Sequence, residues 1–368
     1  MERPRVVSAG RTDVAVVGGG FYGVFVATEI KHLNPGLDVT VVEKEATLFT
    51  KASSANQGQL HMGYMYSGDK ALASDCAENV ARFSSTFGTA VDGEVTSLYG
   101  IHEDSEIDAD DYIEFCHDLK LPLELIDRPA DIFGEAVVAT FKSAEKTFNS
   151  AAVQRILAEQ VAVTGIRLLT NFEAHRVQET PDGIRLLNSE RALDASHVFN
   201  VTFADINGLH ERSGLPSIPL RYDTFLHLLL ELPAAYRTTA ATVIRGPYAS
   251  LLPSTFRQGH LLASARHRTV RSTTVERPSE VVGPDDIRTV HDRAVDEAIT
   301  YLPVLGRARL LGHTIGTRAA RFDPATGAYT SRAAVFENFG ELPNYHAVLG
   351  GKVSCMFDVS KAVEAILG

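Results

Sequence analysis

The run Val14-Ala15-Val16-Val17-Gly18-Gly19-Gly20-Phe21-Tyr22-Gly23 restricts what this chain can become more than any other segment. Asp13 opens a short, continuous apolar stretch of the kind expected of a strand buried on both faces. Gly18, Gly20 and Gly23 have the G-x-G-x-x-G spacing, and Val24 to Leu33 reads as a helix. In such a unit the first glycine allows a tight turn, the second lets a pyrophosphate approach the backbone, and the third lets helix and strand pack closely. The helix start then offers free N–H groups and a positive dipole end to the phosphates. Asn34-Pro35-Gly36 stops the helix. A second buried strand, Val39 to Val42, ends in Glu43, whose carboxylate suits the two hydroxyls of an adenosine ribose. Together these features define a dinucleotide site to which Phe21, Tyr22 and Lys44 also belong. The acid at position 43 disfavours a 2′-phosphate, so NADP is not expected.

With 368 residues the chain has room for two domains, and 45% apolar with 22% charged residues is ordinary globular composition. A net charge of −11 without any basic run excludes nucleic acid as an expected partner. The cysteines, Cys76, Cys116 and Cys355, are far apart with no CxxC pair. That spacing points away from disulfides and zinc and toward a reducing cytoplasm. Met1 to Arg11 is short, polar and arginine-bearing, so no signal peptide is expected, and no apolar run is long enough for a membrane span. A soluble, cytoplasmic protein is the expectation.

The segment after the second strand is unusual. Ser53, Ser54, Asn56, Gln57 and Gly58 lead into His61-Met62-Gly63-Tyr64-Met65-Tyr66. Near the far end, Asn344 to Leu349 reads as a strand that breaks at Gly350-Gly351-Lys352, and Val353 to Leu367 has helical spacing. Together these motifs resemble the D-amino acid oxidase superfamily of FAD-dependent oxidoreductases. The Asn56-x-Gly58-x-x-His61-x-Gly63-x-x-Tyr66 pattern is similar to that of L-2-hydroxyglutarate dehydrogenases. The Gly-Gly-Lys turn is similar to that of glycerol-3-phosphate dehydrogenases and oxidases, and glycine oxidase is a further branch of the same group. The resemblance implies FAD as cofactor, with backbone at Gly58 and Gly63 close to the isoalloxazine ring. It also implies that Gly350, Gly351, Lys352, Val353 and Ser354 form a helix start aimed at the flavin N1–C2=O edge. Positive charge there stabilises the reduced ring.

The middle of the chain carries a helix from Phe148 to Ala162 capped by Asn149-Ser150, and a strand at Ile166 to Leu169. A strand at Glu173 to Val177, a Pro181-Asp182-Gly183 turn, Ile184 to Leu187 and a return strand at His197 to Thr202 follow. The resemblance implies that Ala174 meets the adenine through its backbone. It also implies an Asn-Ala-x-Gly turn after the return strand; here the glycine is missing, and Thr202 stands in as a phosphate donor. The expected fold is α/β, with a Rossmann-type (glutathione reductase-like) FAD domain and an interleaved substrate domain on an antiparallel sheet. Residues 1–85, 145–210 and 310–368 are assigned to the first, and 86–144 and 211–309 to the second. Strands in the second are read at Thr242 to Arg245, Ala249 to Leu252 and His260 to Ala265, with a helix in Pro284 to Leu302.

For the chemistry, an anionic substrate needs a fixed cation, and arginine grips carboxylates bidentately. Gly316-Thr317-Arg318-Ala319 sits where the superfamily carries Gly-x-Arg-Pro, which makes Arg318 the leading anchor and Arg321 its rival. His61 is a candidate base and a candidate for covalent attachment to the flavin. Lys352 is the cation at the flavin edge. Tyr64, Tyr66 and Tyr248, the last within Arg245-Gly246-Pro247-Tyr248, are candidate pocket residues, whereas His260, Arg266 and His267 read as core or solvated groups. No metal-ligand cluster stands out. The expected reaction removes hydride from an amine-bearing carbon of a small anionic substrate, with oxygen or another carrier as acceptor. Oxidation of a 2-hydroxy acid is the alternative, and a flavin-bound redox partner without its own substrate is a second one.

Overall fold

The computed structural model describes residues 7–244, 248–254, 258–330, 332–337, 339–340 and 342–367. Most of the segment Met1 to Arg11 that precedes Asp13, up to residue 6, lies outside them, as do Arg245, Gly246 and Pro247. Strand β1 (Val7–Val17), helix α1 (Phe21–Leu33) and strand β2 (Val39–Val42) form the glycine-turn unit read from the sequence. β1 runs parallel to β2 on one side and to Arg191–Asn200 on the other. Arg167–Leu169 extends the parallel array beyond β2, and Tyr345–Leu349 extends it beyond Arg191–Asn200. The antiparallel hairpin of Arg176–Thr180 and Gly183–Leu187, together with Ala334–Phe336, completes an eight-stranded sheet. The expected meander and return strand share one long strand, Arg191–Asn200. Glu173 to His175 lies outside any strand, because pairing begins only at Arg176.

Burial explains the first unit. α1 is covered on nearly all sides, with Phe21, Val24, Phe25, Val26, Ala27 and Ile30 buried. It packs in one apolar cluster with Val14, Val16, Val39 and Val41 of the sheet and Val153 and Leu157 of the helix Ser150–Thr164. Each such side chain contributes roughly 1.5–3 kcal/mol on leaving water. The second helix is capped as read: Asn149 Oδ1 accepts from the Ala151 and Ala152 amides at 3.0 and 3.1 Å, and Gly165 ends it at a left-handed φ of 71°.

A ten-stranded sheet forms the other half. Its longest members, Leu220–Glu231 and Arg309–Phe322, pair antiparallel along nearly their whole length. Thr239–Ile244 and Thr96–His102 are its one parallel junction among the described residues. Arg309–Phe322 and Tyr329–Thr330 belong to this sheet, so residues 310 to 330 go with the second unit and not, as the sequence reading had it, with the first. The chain thus crosses between the two sheets repeatedly. The C-terminal segment also differs from expectation. Val353–Val359 is a tight 3₁₀ turn with non-helical φ/ψ at Cys355, and only Ser360–Leu367 is α-helical. Four consecutive residues, Ser354 to Phe357, are buried there, which a one-faced α-helix cannot achieve.

Candidate active site

A cavity of about 330 Å³ runs from the glycine turn to the junction with the second sheet. Gly18, Gly20, Phe21, Tyr22, Gly23, Glu43, Lys44, Ser53, Asn56, Ala174 and Thr202 line one part, and Gly350, Gly351, Lys352, Val353 and Arg318 another. The glycines are sterically obligatory. Gly18 has φ +113°, and a Cβ on it would lie 2.6 Å from the Val201 carbonyl oxygen. One on Gly23 would lie 1.8 Å from the Gly18 oxygen. Gly20 has no side chain with which to cap α1, and the first turn holds no acid, so the positive helix end stays open to an anion. The Phe21 amide alone is turned aside, donating to Ser53 Oγ at 3.0 Å. Glu43 is fixed from behind: its carboxylate oxygens accept from the Gly19 and Glu45 amides at 2.6 and 2.9 Å. A carboxylate has further lone pairs, which remain for ribose hydroxyls. This cradle fits FAD.

The return-strand turn solves the missing glycine differently from expectation. Phe203 itself takes the left-handed φ of 56°. The Thr202 hydroxyl donates to Asn200 Oδ1 at 2.6 Å, so it is not free to donate to a phosphate.

Several expected contacts are absent from the cavity wall. The Ser54 hydroxyl donates to the Thr50 and Lys51 carbonyls at 3.1 and 2.8 Å, pointing away along its own turn. Gly58 and Gly63 are held small by protein backbone: a Cβ at either would meet the Phe148 oxygen at 2.6 Å or the Ala73 oxygen at 2.8 Å. Gln57 and Ser354 also lie off the wall. Tyr64 is fully buried in a separate apolar cluster, donating to the Pro122 carbonyl, and is not among the residues lining the cavity. Arg321 is at the exposed end of its strand, with its guanidinium 5.8 Å from the Phe336 ring centre.

The remaining polar candidates gather at one end. Lys352 Nζ lies 5.3 Å from the Tyr66 ring centre, and the Tyr66 and His61 rings are 5.4 Å apart. His61 is thus within one ring of Lys352 but is not among the residues lining the cavity; the residue is partly exposed, and its Nδ1 is buried without a partner. Burial, then the charges of Lys352 and Arg268, hold its imidazole well below the ordinary pKa of 6.5. Burial, then Arg318 and Arg268, push the Lys352 ammonium down to about 8. Tyr248 lies in the same group, its phenol raised to about 12, chiefly by burial. The backbone anchors the flavin-edge turn through Tyr22, whose hydroxyl donates to the Lys352 carbonyl at 2.7 Å.

Sequence reasoning missed Arg268. It lines the cavity just after the strand Gly259–Ser264, and the side chains that bear on it are Tyr248, Tyr66, Tyr329 and the cation Arg318. Arg318, the expected anchor, is ion-paired with Asp223. The Arg266-His267-Arg268 run was the available signal, but nothing in its spacing says which residue turns inward. His260 is buried, its Nε2 within 3.1 and 3.2 Å of the Tyr236 and Thr239 carbonyls. Among the described residues there is no cluster of three or more metal-type ligands, and no helix is long and apolar enough to cross a membrane.

The nucleotide cradle joined to a cation-rich pocket defines a flavin-dependent oxidoreductase. The family described as DAO, FAD dependent oxidoreductase, matches residues 13–352, and the chain belongs to it. It is similar to L-2-hydroxyglutarate dehydrogenase of Indibacter alkaliphilus, 27% identical over 48% of this chain and 34% of that one, so the match spans about a third of that relative. It is similar to the FAD-dependent monooxygenase FPY4 of Fusarium mangiferae, 21% identical over 96% of this chain and 91% of the other. The solved glycine oxidase of Geobacillus kaustophilus shares the fold, with a TM-score of 0.73 and 17% identity over 97% of this chain and 93% of that one.

Proposed function

We propose that this enzyme oxidises the carbon–nitrogen bond of a small anionic amine, an amino acid or a close relative. The observation that carries the reading is the contrast between two arginines. Arg318 is ion-paired with Asp223, which Arg221 also contacts, whereas Arg268 lines the cavity with no ion-pair partner among the described residues. A cavity-facing guanidinium without an ion-pair partner is a site for a carboxylate, which it holds bidentately. FAD, when bound, supplies the hydride acceptor.

The same positive field acts on the other end of the substrate. Lys352 and Arg268 disfavour a protonated amine, so the substrate's nitrogen enters the reactive, neutral form more readily. An amine that has lost its proton needs no strong base, and His61 is a weak one that does not line the cavity. Hydride leaves the substrate carbon, the nitrogen lone pair forms the imine, and water hydrolyses it.

Oxidation of a 2-hydroxy acid is the second reading, favoured by the likeness to L-2-hydroxyglutarate dehydrogenase. An alcohol needs a base, and Lys352, with a pKa of about 8, is the group in the right range. The deciding experiment is anaerobic titration of the purified flavoprotein with D- and L-amino acids and 2-hydroxy acids. Loss of flavin absorbance with an amino acid is expected. Bleaching by hydroxy acids alone favours the second reading, and bleaching by dithionite alone defeats both.

A further inference from the structure

We propose that Arg277 is a cofactor-binding residue that donates to the pyrophosphate of FAD from the second sheet's side of the cavity. Residue 277 lies in the connection between the strand Thr269–Thr273, paired in the ten-stranded sheet, and the helix Pro284–Ala298. This connection is covalently part of the substrate half, yet Arg277 and Glu280 both line the cavity of the nucleotide half.

The guanidinium is underused where it stands. Nη2 donates to Glu280 Oε1 at 3.1 Å, and Nη1 is 3.9 Å from Asp205 Oδ2, too far for a hydrogen bond. Nε is buried without any partner. A guanidinium has five N–H donors; the side chain is 27% exposed, so it is the buried Nε whose missing partner is costly. Asp205 Oδ2 is also 3.1 Å from Lys44 Nζ, which divides its charge between two cations. Asp205 lies two residues after the Thr202–Phe203 turn at the end of the return strand, which lines the cavity beside Gly18. The anion that completes this arrangement is a phosphate, and Thr202 has no hydrogen to give it. Arg277 thus supplies the donor that the turn lacks and ties cofactor retention to the packing of the two halves.

The test is FAD retention, read without turnover. The holoenzyme is diluted serially and released FAD is measured by its fluorescence. Arg277→Ala is expected to raise the FAD dissociation constant about tenfold, with Arg277→Lys between it and the wild type. Glu280→Ala, which unpairs the guanidinium without removing it, is expected to hold FAD at least as tightly as the wild type. Should Arg277→Ala not fold, the near-isosteric Arg277→Gln is read by the same criteria. A dissociation constant within twofold of the wild type in the neutral variant overturns the proposal. So does equal weakening by Glu280→Ala, which makes the pair a strut and not a phosphate contact.

Discussion

Asp223 and Arg318 stand directly opposite each other on the antiparallel strands Leu220–Glu231 and Arg309–Phe322, and their side chains form an ion pair. Asp223 is 2% exposed. Burial on its own raises the carboxyl, but hydrogen bonds from Arg318, Ser272 and Arg221 outweigh it and hold the group below its ordinary 3.8. The stabilisation is therefore complete above the ordinary carboxylate range and is lost as the pH falls through the lower native value. Asp223→Asn should cost roughly 3 kcal/mol in urea unfolding at neutral pH, with the gap from wild type closing in acid.

If Arg268 holds the substrate anion, Arg268→Ala should lower kcat/KM about 100-fold, or roughly 2.7 kcal/mol, for anionic substrates. Steady-state kinetics should place most of this loss in KM. Arg318→Ala should instead be seen chiefly as a lower unfolding temperature, since it strands Asp223.

Lys352 gives the site a titration near neutrality. It carries its charge below about pH 8 and loses it above, so kcat/KM for an anionic substrate should fall as the pH rises through that value. Lys352→Met should remove this step from the pH profile while leaving other limbs in place. A descending limb that persists in the variant belongs to another group.

His61 separates the two readings of the chemistry. With a weakly basic imidazole off the cavity wall, His61→Ala should reduce kcat less than about tenfold for an amine substrate. A loss of three orders of magnitude with flavin content unchanged instead assigns it the proton of a hydroxy acid.

Gly23→Ala tests the cradle. The added carbon would meet the Gly18 carbonyl oxygen at 1.8 Å, so α1 cannot dock in place. The variant is expected to be colourless after purification or insoluble, as judged by visible absorbance.

The nucleotide cradle was legible because it depends on local rules: a glycine spacing, a buried apolar run and an acid at a strand end. What failed was non-local. Gly58 and Gly63 look like glycines kept for a ligand, yet their need for small size comes from the Phe148 and Ala73 backbones. Tyr64 and Tyr66 differ by two positions, but one is sealed in a core and the other neighbours Lys352. Arg318 sat in the expected motif while its partner Asp223, 95 residues earlier in the chain, was invisible to any pattern. Arg268, which has no ion-pair partner among the described residues, carries no sequence mark that separates it from Arg266.

The contact between Tyr22 and the Lys352 carbonyl joins residues 330 positions apart. One wall of the cleft is built from residues around position 22 and the facing one from residues around position 352. A chain cut before Gly350 would display only an open half-groove, so it should fail to retain flavin.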